Sequence, residues 1–224
     1  MSSQLSMLNI LQSAFSGDIV SAYASLQNFL VHNYWYSIAL LCGTYVALQS
    51  FAIPGPALLA VLMAALFGGW VGGAMSLACS VIGSSICYYI FKFLGTPMLQ
   101  RCCKARLVSF KKRIASHKDG LFFYFLFLRV TPIVPNWFLN IASGNIGISF
   151  GIFFWGTMFG LIPNAIILAT AGTELARYGE MGGTGMDSQR LVTLLGVGVL
   201  ALLPIIIKKK FAGKETKKVI RKTK

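Results

Sequence analysis

The sequence predicts an all-α integral membrane protein, on three observations. Apolar side chains make up 56% of the 224 residues and charged ones 12%, whereas soluble domains carry about 25% charged residues. No charged residue falls between Asp18 and Lys92, within 130–173, or within 191–207. Because a transmembrane helix needs about 20 mostly apolar residues, these three stretches hold several crossings. The third stretch, Leu191–Ile207, is predicted to be the final crossing.

The basic residues predict how the chain is oriented. They cluster between Lys92 and Lys118 and again in the tail 208–224, while Glu174–Arg190 holds three acids and two bases. Lys and Arg beside membrane spans mark the cytosolic side. Both basic blocks and both termini are therefore expected in the cytosol, and Glu174–Arg190 in the lumen. The net charge of +14 also suits nucleic acid, but no stacking platform or nucleic-acid motif accompanies it.

The first half of the chain is predicted to contain a broken hydrophobic segment. Tyr34–Leu48 reads as a first crossing, and Pro54-Gly55-Pro56 then interrupts the apolar sequence because proline cannot continue a helix. The following arm, Ala57–Gly69, reaches only about 20 Å, short of a 30 Å bilayer core. A re-entrant hairpin at about 49–69 is therefore expected, followed by a full span at Trp70–Phe93.

A basic amphipathic helix is predicted over Met98–Lys118. At 100° per residue its apolar residues, such as Phe110 and Ile114, fall on one side. This pattern is typical of a helix lying on the cytosolic leaflet and attracted to anionic lipid, although a solvated helix shows the same pattern. The residues expected to bind anionic lipid are Arg101, Lys104, Lys111, Lys112 and Lys118.

The second half repeats the pattern of the first. Gly120–Val130 is a short arm, Thr131–Asn136 interrupts it with two prolines, and Trp137–Ser149 is the return arm. These three segments form a second predicted hairpin, at about 120–149. A full span is predicted at Gly151–Gly172.

The two hairpins predict an inverted repeat. Sixteen positions separate Pro54 from Trp70, and 16 separate Pro135 from Gly151. By the charge assignment the first hairpin enters from the lumen and the second from the cytosol. Paired, proline-interrupted segments of this kind indicate a transport site at the bilayer midplane, although two unrelated kinked helices would also give the pattern. The membrane domain is placed at 34–207, after a polar and interfacial N-terminal segment, 1–33, and before the basic cytosolic tail.

Arg129 is predicted to be the central functional residue. An arginine at mid-membrane costs at least about 2.5–3.5 kcal/mol and is a functional candidate by default. Its expected partners are the free carbonyls ending the Gly120–Val130 arm or a lipid phosphate. The alternative is that Arg129 only pins the hairpin through those carbonyls. Asn136 can cap the return arm, and Asn140 shares its face. The predicted headgroup path comprises Arg129, Thr131, Pro132, Pro135, Asn136, Asn140, Pro54, Gly55 and Asn164.

Two stretches carry a resemblance to a known family. Phe127–Asn140 contains the pattern F-x-R-x-T-P-x-x-P-N-W-F, and Leu48–Gly55 reads LQSFAIPG. Together with Phe154–Thr157 and Ala171–Thr173, they resemble the DedA superfamily, also called the VTT domain, and most of all its eukaryotic transmembrane protein 41 branch. The resemblance covers about 34–210. It implies a phospholipid scramblase of the endoplasmic reticulum, linked to autophagosome formation, lipid droplets and lipoprotein export.

The sequence differs from the bacterial DedA pattern around the first hairpin. Bacterial members carry acids there, whereas Gln49–Met63 has none. A proton relay needs titratable groups inside the membrane, so passive, ATP-independent movement of lipid is favoured. A gradient-driven secondary transporter of a small ion or metabolite and a non-transporting, membrane-shaping protein remain as alternatives. No enzyme, metal or cofactor is expected, because His32 and His117 belong to no metal-spacing or catalytic motif.

The end of the chain bears on localisation. Arg221 and Lys222 resemble a dilysine retrieval signal, which predicts residence in the endoplasmic reticulum. A tail that binds anionic lipid would have the same composition. Expected partners are phospholipids and the bilayer, with a homo-oligomer and other membrane or autophagy proteins as candidates. Gly147-x-x-x-Gly151 and Gly156-x-x-x-Gly160 could support close helix contacts within or between chains.

Overall fold

The computed structural model describes residues 19–94, 107–108, 110–116, 120–131 and 134–180. All regular secondary structure in these ranges is helical, so the all-α prediction is confirmed for them. Residues 110–115 are also helical. The helices with defined bounds are α1 (Ile19–His32), α2 (Tyr34–Ser50), α3 (Pro56–Phe67), α4 (Gly69–Leu94), α5 (Leu121–Val130), α6 (Asn136–Ile146), α7 (Phe150–Gly160) and α8 (Ile162–Glu180).

Both predicted helix breaks are present. α2 ends at Ser50 and α3 begins at Pro56, where the missing N–H of proline costs nothing because the first helical N–H groups have no intrahelical partner. Between them the backbone is left-handed at Ala52 (φ 55°) and adopts a positive φ of 141° at Gly55. The second break lies between Val130 and Asn136.

Two membrane-length helical runs are present in the described residues, where both full spans were predicted. They are α4 and the run of α7 and α8, Phe150–Glu180. The second run turns at Leu161 and continues past Gly172, where the predicted span ended, so Glu174–Glu180 is helical rather than a loop. An ion pair between Arg177 and Glu174, three residues apart at 3.0 Å, supports this last part of α8. The predicted crossing at 191–207 lies outside the described residues.

The helices of the two halves pack reciprocally. The arm before each break packs on the long helix of its own half, α2 on α4 and α5 on α7. The arm after each break packs on the long helix of the other half, α3 on α8 and α6 on α4, and α3 also packs on α4 of its own half. Glycines permit the cross-half contacts, since a Cβ at Gly172 would lie 2.5 Å from Ala64 Cβ and one at Gly144 2.6 Å from the Tyr88 carbonyl oxygen. The polar contents of the cross-packed region therefore come from both halves.

Several large apolar side chains are exposed on the outer surface, and small polar ones are buried between helices. Leu58 is 78% exposed and Phe123 74% exposed. In contrast, Ser76, Ser80 and Ser84 on successive turns of α4 are buried. Small polar residues between helices and apolar residues outside are typical of helix packing in lipid.

The described part of the predicted amphipathic helix contacts the protein with its apolar side. Phe110 and Ile114 are buried in a cluster with Phe138 of α6, and the Phe110 and Phe138 ring centroids are 5.8 Å apart. Lys111 and Lys112 are exposed on the other side. Arg101, Lys104 and Lys118, like Arg221 and Lys222 in the tail, lie outside the described residues.

Candidate functional site

A cavity of about 520 Å³ lies between the first helix break and the start of α6. We call it the central cavity. Residues 52–57 of the first break form one wall, and Asn136, Trp137 and Asn140 at the start of α6 form another. Its polar lining residues are Tyr45 and Gln49 of α2, Ser80 of α4, Asn136 and Asn140 of α6, and Asn164 of α8. These side chains offer amide and hydroxyl groups, which both donate and accept hydrogen bonds.

Five of the nine residues of the predicted headgroup path line the central cavity. They are Pro54, Gly55, Asn136, Asn140 and Asn164. Arg129, Thr131 and Pro135 do not line it, and Pro132 lies outside the described residues. The Thr131 hydroxyl instead donates to the Phe127 carbonyl oxygen, one turn back in α5.

Arg129 lies behind the cavity wall and is only 4% exposed. Its Nη2 donates to Oδ1 of Asn140 over 2.8 Å, while Nε and Nη1 are buried and have no hydrogen-bond partner. The carbonyls ending α5, one of the two predicted partners, are therefore not the partner observed. The amide of Asn140 takes their place, because the second break returns α6 past the end of α5, and the lipid phosphate stays a prediction.

Two aromatic rings enclose the Arg129 guanidinium. Its Cζ lies 5.3 Å from the Phe125 ring centroid and 5.1 Å from that of Phe153. A cation over an aromatic face gains about 0.5–2 kcal/mol, most when desolvated. Gly160 of α7 makes room for the arginine, since a Cβ there would lie 3.2 Å from Arg129 Cγ and closer still to its Cβ. The site thus holds a buried positive charge with few hydrogen bonds.

This arrangement fixes the orientation of Asn140. A guanidinium can only donate hydrogen bonds, so Oδ1 of Asn140 must face Arg129. The Nδ2 donor is then the other end of the amide, on a residue that is 1% exposed and lines the central cavity. Arg129 is accordingly linked to the cavity wall through its hydrogen bond to Asn140.

Asn136 has a different position from the one predicted. It is the first residue of α6 rather than its cap, and Pro135 precedes it without a side-chain hydrogen bond. Proline fixes φ near −65° and suits a helix start. Asn136 is therefore not needed as a cap, and its exposed side chain lines the central cavity.

Several lining residues were not identified from the sequence. Tyr45, Ser80 and Trp137 come from three different helices. One signal was available, because Ser76, Ser80 and Ser84 recur every fourth residue in an otherwise apolar span. Gln49 links to this row, with its Nε2 donating to the Ser84 hydroxyl over 2.9 Å. Within the described ranges, no three His, Cys, Asp or Glu residues are grouped to hold a metal.

Known proteins match the part of the chain that builds this site. The VTT domain matches residues 53–174. The chain is 38% identical over 178 residues to a transmembrane protein 41 homolog of Caenorhabditis elegans, covering 78% of this chain and 72% of that protein. Transmembrane protein 41B of Danio rerio is 34% identical, over 80% of this chain and 64% of that protein. Transmembrane protein 41B of Homo sapiens is 33% identical, over 76% of this chain and 58% of that protein.

The aligned region covers 58% of the human relative and 64% of the zebrafish one. No solved structure matches the chain. The family match includes the second helix break, the Arg129 site and most of the lining of the central cavity, whereas Tyr45, Gln49 and Ala52 precede it. The chain is thus a membrane protein of the VTT domain family, related to the transmembrane protein 41 proteins, as its proline-containing motifs indicated.

Proposed function

We propose that this protein is an ATP-independent phospholipid scramblase that equilibrates glycerophospholipids between the leaflets of the endoplasmic reticulum membrane. The central cavity carries the proposal, because it gathers neutral polar side chains beside two helix breaks. A headgroup crossing bare hydrocarbon loses its water at several kcal/mol for each unpaired polar group. Amide and hydroxyl groups at the crossing point lower that barrier without an energy source.

The proposal places both breaks near the bilayer midplane, as tips of re-entrant hairpins in an inverted repeat. The reciprocal packing of α3 on α8 and of α6 on α4 supports it, because the two halves then contribute equivalent arms to one site. Irregular backbone is tolerated at membrane depth only where it is buried in protein or lines a polar cavity. Pro54 and Gly55 of the first break meet that condition, since they line the central cavity.

In this scheme Asn140 is the principal hydrogen-bond donor to the lipid phosphate. Its Nδ2 is aimed by the Arg129 contact at 2.8 Å. The guanidinium contributes positive potential from behind the wall, where the low dielectric makes a charge effective. Arg129 is therefore a positioning residue in the proposal, and Asn136 and Asn164 supply further amide groups along the path.

The lining of the central cavity favours passive movement. No Asp or Glu is among the described residues that line it, and a proton-coupled carrier needs a titratable group there. The test is a liposome assay with fluorescent phospholipid and a membrane-impermeant reductant, with and without an imposed pH gradient. We expect scrambling at the same rate in both conditions and for several headgroups. Movement only under the gradient would instead indicate a secondary transporter.

The location and cellular role follow as part of the proposal. With both termini cytosolic, the segment after α8 lies in the lumen, so a glycosylation acceptor near Gly183 should be modified and one near the C-terminus should not. The reverse pattern would contradict the inverted repeat.

Scrambling in the endoplasmic reticulum would support autophagosome formation and lipid mobilisation. In this proposal Arg221 and Lys222 are the retrieval signal, and the exposed Lys111 and Lys112 bind anionic lipid. Unchanged localisation after replacing Arg221 and Lys222 with Ser would show that this signal is dispensable.

A further inference from the structure

A second cavity, of about 530 Å³, follows the seam between α4 and α8. We call it the α4–α8 groove. It contains no part of the helix breaks and is lined mainly by small and aliphatic residues, such as Gly73, Leu77, Ala165 and Ile166. Among its walls Ile166 is 50% exposed and Trp70 86% exposed. The groove therefore opens on the outer surface of the described helices, the side that faces lipid in a membrane.

Small residues set the shape of the groove. A Cβ at Gly73 would lie 2.9 Å from Ala169 Cβ, and one at Gly69 would overlap the Thr173 side chain. The two helix backbones are consequently close, and the outer surface dips between them. From Ile162 to Arg177 the wall on α8 is about 22 Å long at 1.5 Å per residue. One leaflet of a 30 Å hydrocarbon core is about 15 Å thick, so the groove spans one leaflet and reaches the headgroup region.

The end of the groove carries both signs of charge. Glu174 and Arg177 line it and form an ion pair of 3.0 Å, with the Arg177 side chain 55% exposed and that of Glu174 10% exposed. Trp70, at the start of α4, lines the same groove. Tryptophan is enriched at the membrane–water interface. The position of Trp70 is therefore consistent with this end of the groove lying at the level of the lipid headgroups.

We propose that the α4–α8 groove binds one phospholipid with a zwitterionic headgroup. One acyl chain lies along the apolar seam, the phosphate contacts Arg177 and the ammonium group contacts Glu174 beside Trp70. The pair is complementary to such a headgroup, because each charged residue meets its opposite. Arginine has five N–H donors, so Arg177 can hold a phosphate and keep a contact with Glu174. A quaternary ammonium also gains a cation–π contact with an indole.

An anionic phospholipid lacks the positive group that Glu174 would meet. The proposal therefore predicts preference for phosphatidylcholine over phosphatidylglycerol with the same acyl chains. The binding needs the protein only to lie in a bilayer, so it stands independently of scrambling.

The test uses the full chain in vesicles of equal phosphatidylcholine and phosphatidylglycerol. A trace of either lipid with a photoreactive diazirine in one acyl chain is added, and adducts are mapped by mass spectrometry. Adducts on 162–177 are divided by those on Leu121–Val130, whose exposed Phe123 reports ordinary annular lipid. We expect this ratio to be about threefold higher with the phosphatidylcholine probe, a size typical of exposed ion pairs.

Two variants with matched controls sharpen the test. Glu174→Gln should remove the preference between the probes, whereas Glu180→Gln, at the exposed end of α8 and off the groove, should keep it. Ile166→Trp should narrow the groove and reduce the adducts of both probes. Ile82 lies on α4 and does not line the groove, and its exposure is similar, 52% against 50% for Ile166. Ile82→Trp should therefore leave the adducts of both probes unchanged.

The same ratio of adducts on 162–177 to adducts on Leu121–Val130 with both probes would overturn the proposal. That result is expected if another part of the chain, such as 191–207, covers the groove. Persistence of the preference in Glu174→Gln would equally contradict it. Neither result would bear on scrambling by the central cavity, which the adducts do not report.

Discussion

The two helix breaks differ in their backbone angles and in the side-chain contacts that hold them. At the first, the chain turns through positive φ angles at Ala52 and Gly55, and neutral hydrogen bonds tie the end of α2 to α4. At the second, φ at both flanking residues is negative, −88° at Thr131 and −60° at Pro135. A buried arginine holds that break to α6.

The two breaks also differ in the free-energy cost of the polar groups that they bury. Gln49 and Ser50 contact Ser84 and the Gly83 carbonyl oxygen with neutral groups, and losing one such bond in a membrane protein costs about 0.6 kcal/mol. A charge at mid-membrane, where we propose that Arg129 lies, costs at least about 2.5–3.5 kcal/mol, and the Nε and Nη1 groups of Arg129 have no hydrogen bond to offset that cost. A cost retained without full compensation is expected at functional sites.

The largest effect is expected for Arg129→Ala. The change removes a buried charge but leaves Oδ1 of Asn140 unpaired, and an unpaired buried group costs about 1–3 kcal/mol. The two terms oppose each other, so the protein should still fold while scrambling falls at least about tenfold. Size-exclusion profiles and the liposome assay measure the two effects separately. Arg129→Lys keeps the charge without the planar guanidinium, so its scrambling rate should lie between those of the wild type and Arg129→Ala.

The outcome distinguishes two roles for Arg129. Normal folding with wild-type scrambling in Arg129→Ala would contradict its positioning of Asn140. Misfolding of Arg129→Ala together with normal scrambling of Arg129→Lys would assign Arg129 to pinning the hairpin alone.

A smaller loss of activity is expected for Asn140→Asp. The carboxylate keeps the acceptor that Arg129 needs and adds an ion pair, but it loses the Nδ2 donor and brings negative charge to the cavity wall. Thermal stability should rise or stay unchanged while scrambling falls about fivefold, the size of one hydrogen bond of about 1 kcal/mol. If stability rose and scrambling did not slow, the donor role of Asn140 would be wrong.

Two glycines of α7, Gly156 and Gly151, differ in how closely they approach other residues. A Cβ at Gly156 would lie 2.5 Å from the Phe125 ring, whereas one at Gly151 would meet nothing within 4 Å. Gly156→Ala should therefore destabilise the protein by about 1–3 kcal/mol through overpacking. Gly151→Ala in the same helix should stabilise it by about 0.5–1 kcal/mol. Thermal unfolding in one detergent compares them, and equal shifts would contradict the packing of α5 on α7.

The smallest effect is expected at the first break. Gln49→Leu removes the bond of 2.9 Å to Ser84 and should cost about 0.6 kcal/mol, with scrambling reduced less than about threefold. The same liposome and unfolding measurements apply. A loss as large as that of Arg129→Ala would show that the two breaks are equivalent.

The sequence predicted the backbone plan because proline effects are local. Pro54, Pro56 and Pro135 lie at or beside helix ends, where the missing N–H and the fixed φ of proline place them. The turn at Leu161 was not predicted although Pro163 follows it, because the apolar composition of Gly151–Gly172 predicts one continuous span. Glu174–Glu180 was missed as helix because its charges suggested a loop.

The walls of the site could not be predicted because they depend on packing between distant segments. Asn140 was placed on the right face of α6, but its bond to Arg129 requires the second break to return the chain past the end of α5. Tyr45 and Ser80 meet Asn164 only because α2, α4 and α8 converge. A periodic row of serines on α4 was the one local sign of this polar interior.

The most direct test of the central cavity as the lipid path compares two asparagine substitutions by liposome scrambling. Asn164→Trp fills part of the cavity, and Asn28→Trp makes the same change at an exposed position of α1 that does not line it. Without scrambling, an impermeant reductant bleaches about one half of a fluorescent lipid, because headgroups do not cross bare hydrocarbon. We predict bleaching well beyond one half for the wild type and Asn28→Trp, and markedly slower loss for Asn164→Trp. Bleaching that stops at one half in the wild type, or Asn164→Trp scrambling at the wild-type rate, would contradict the proposal.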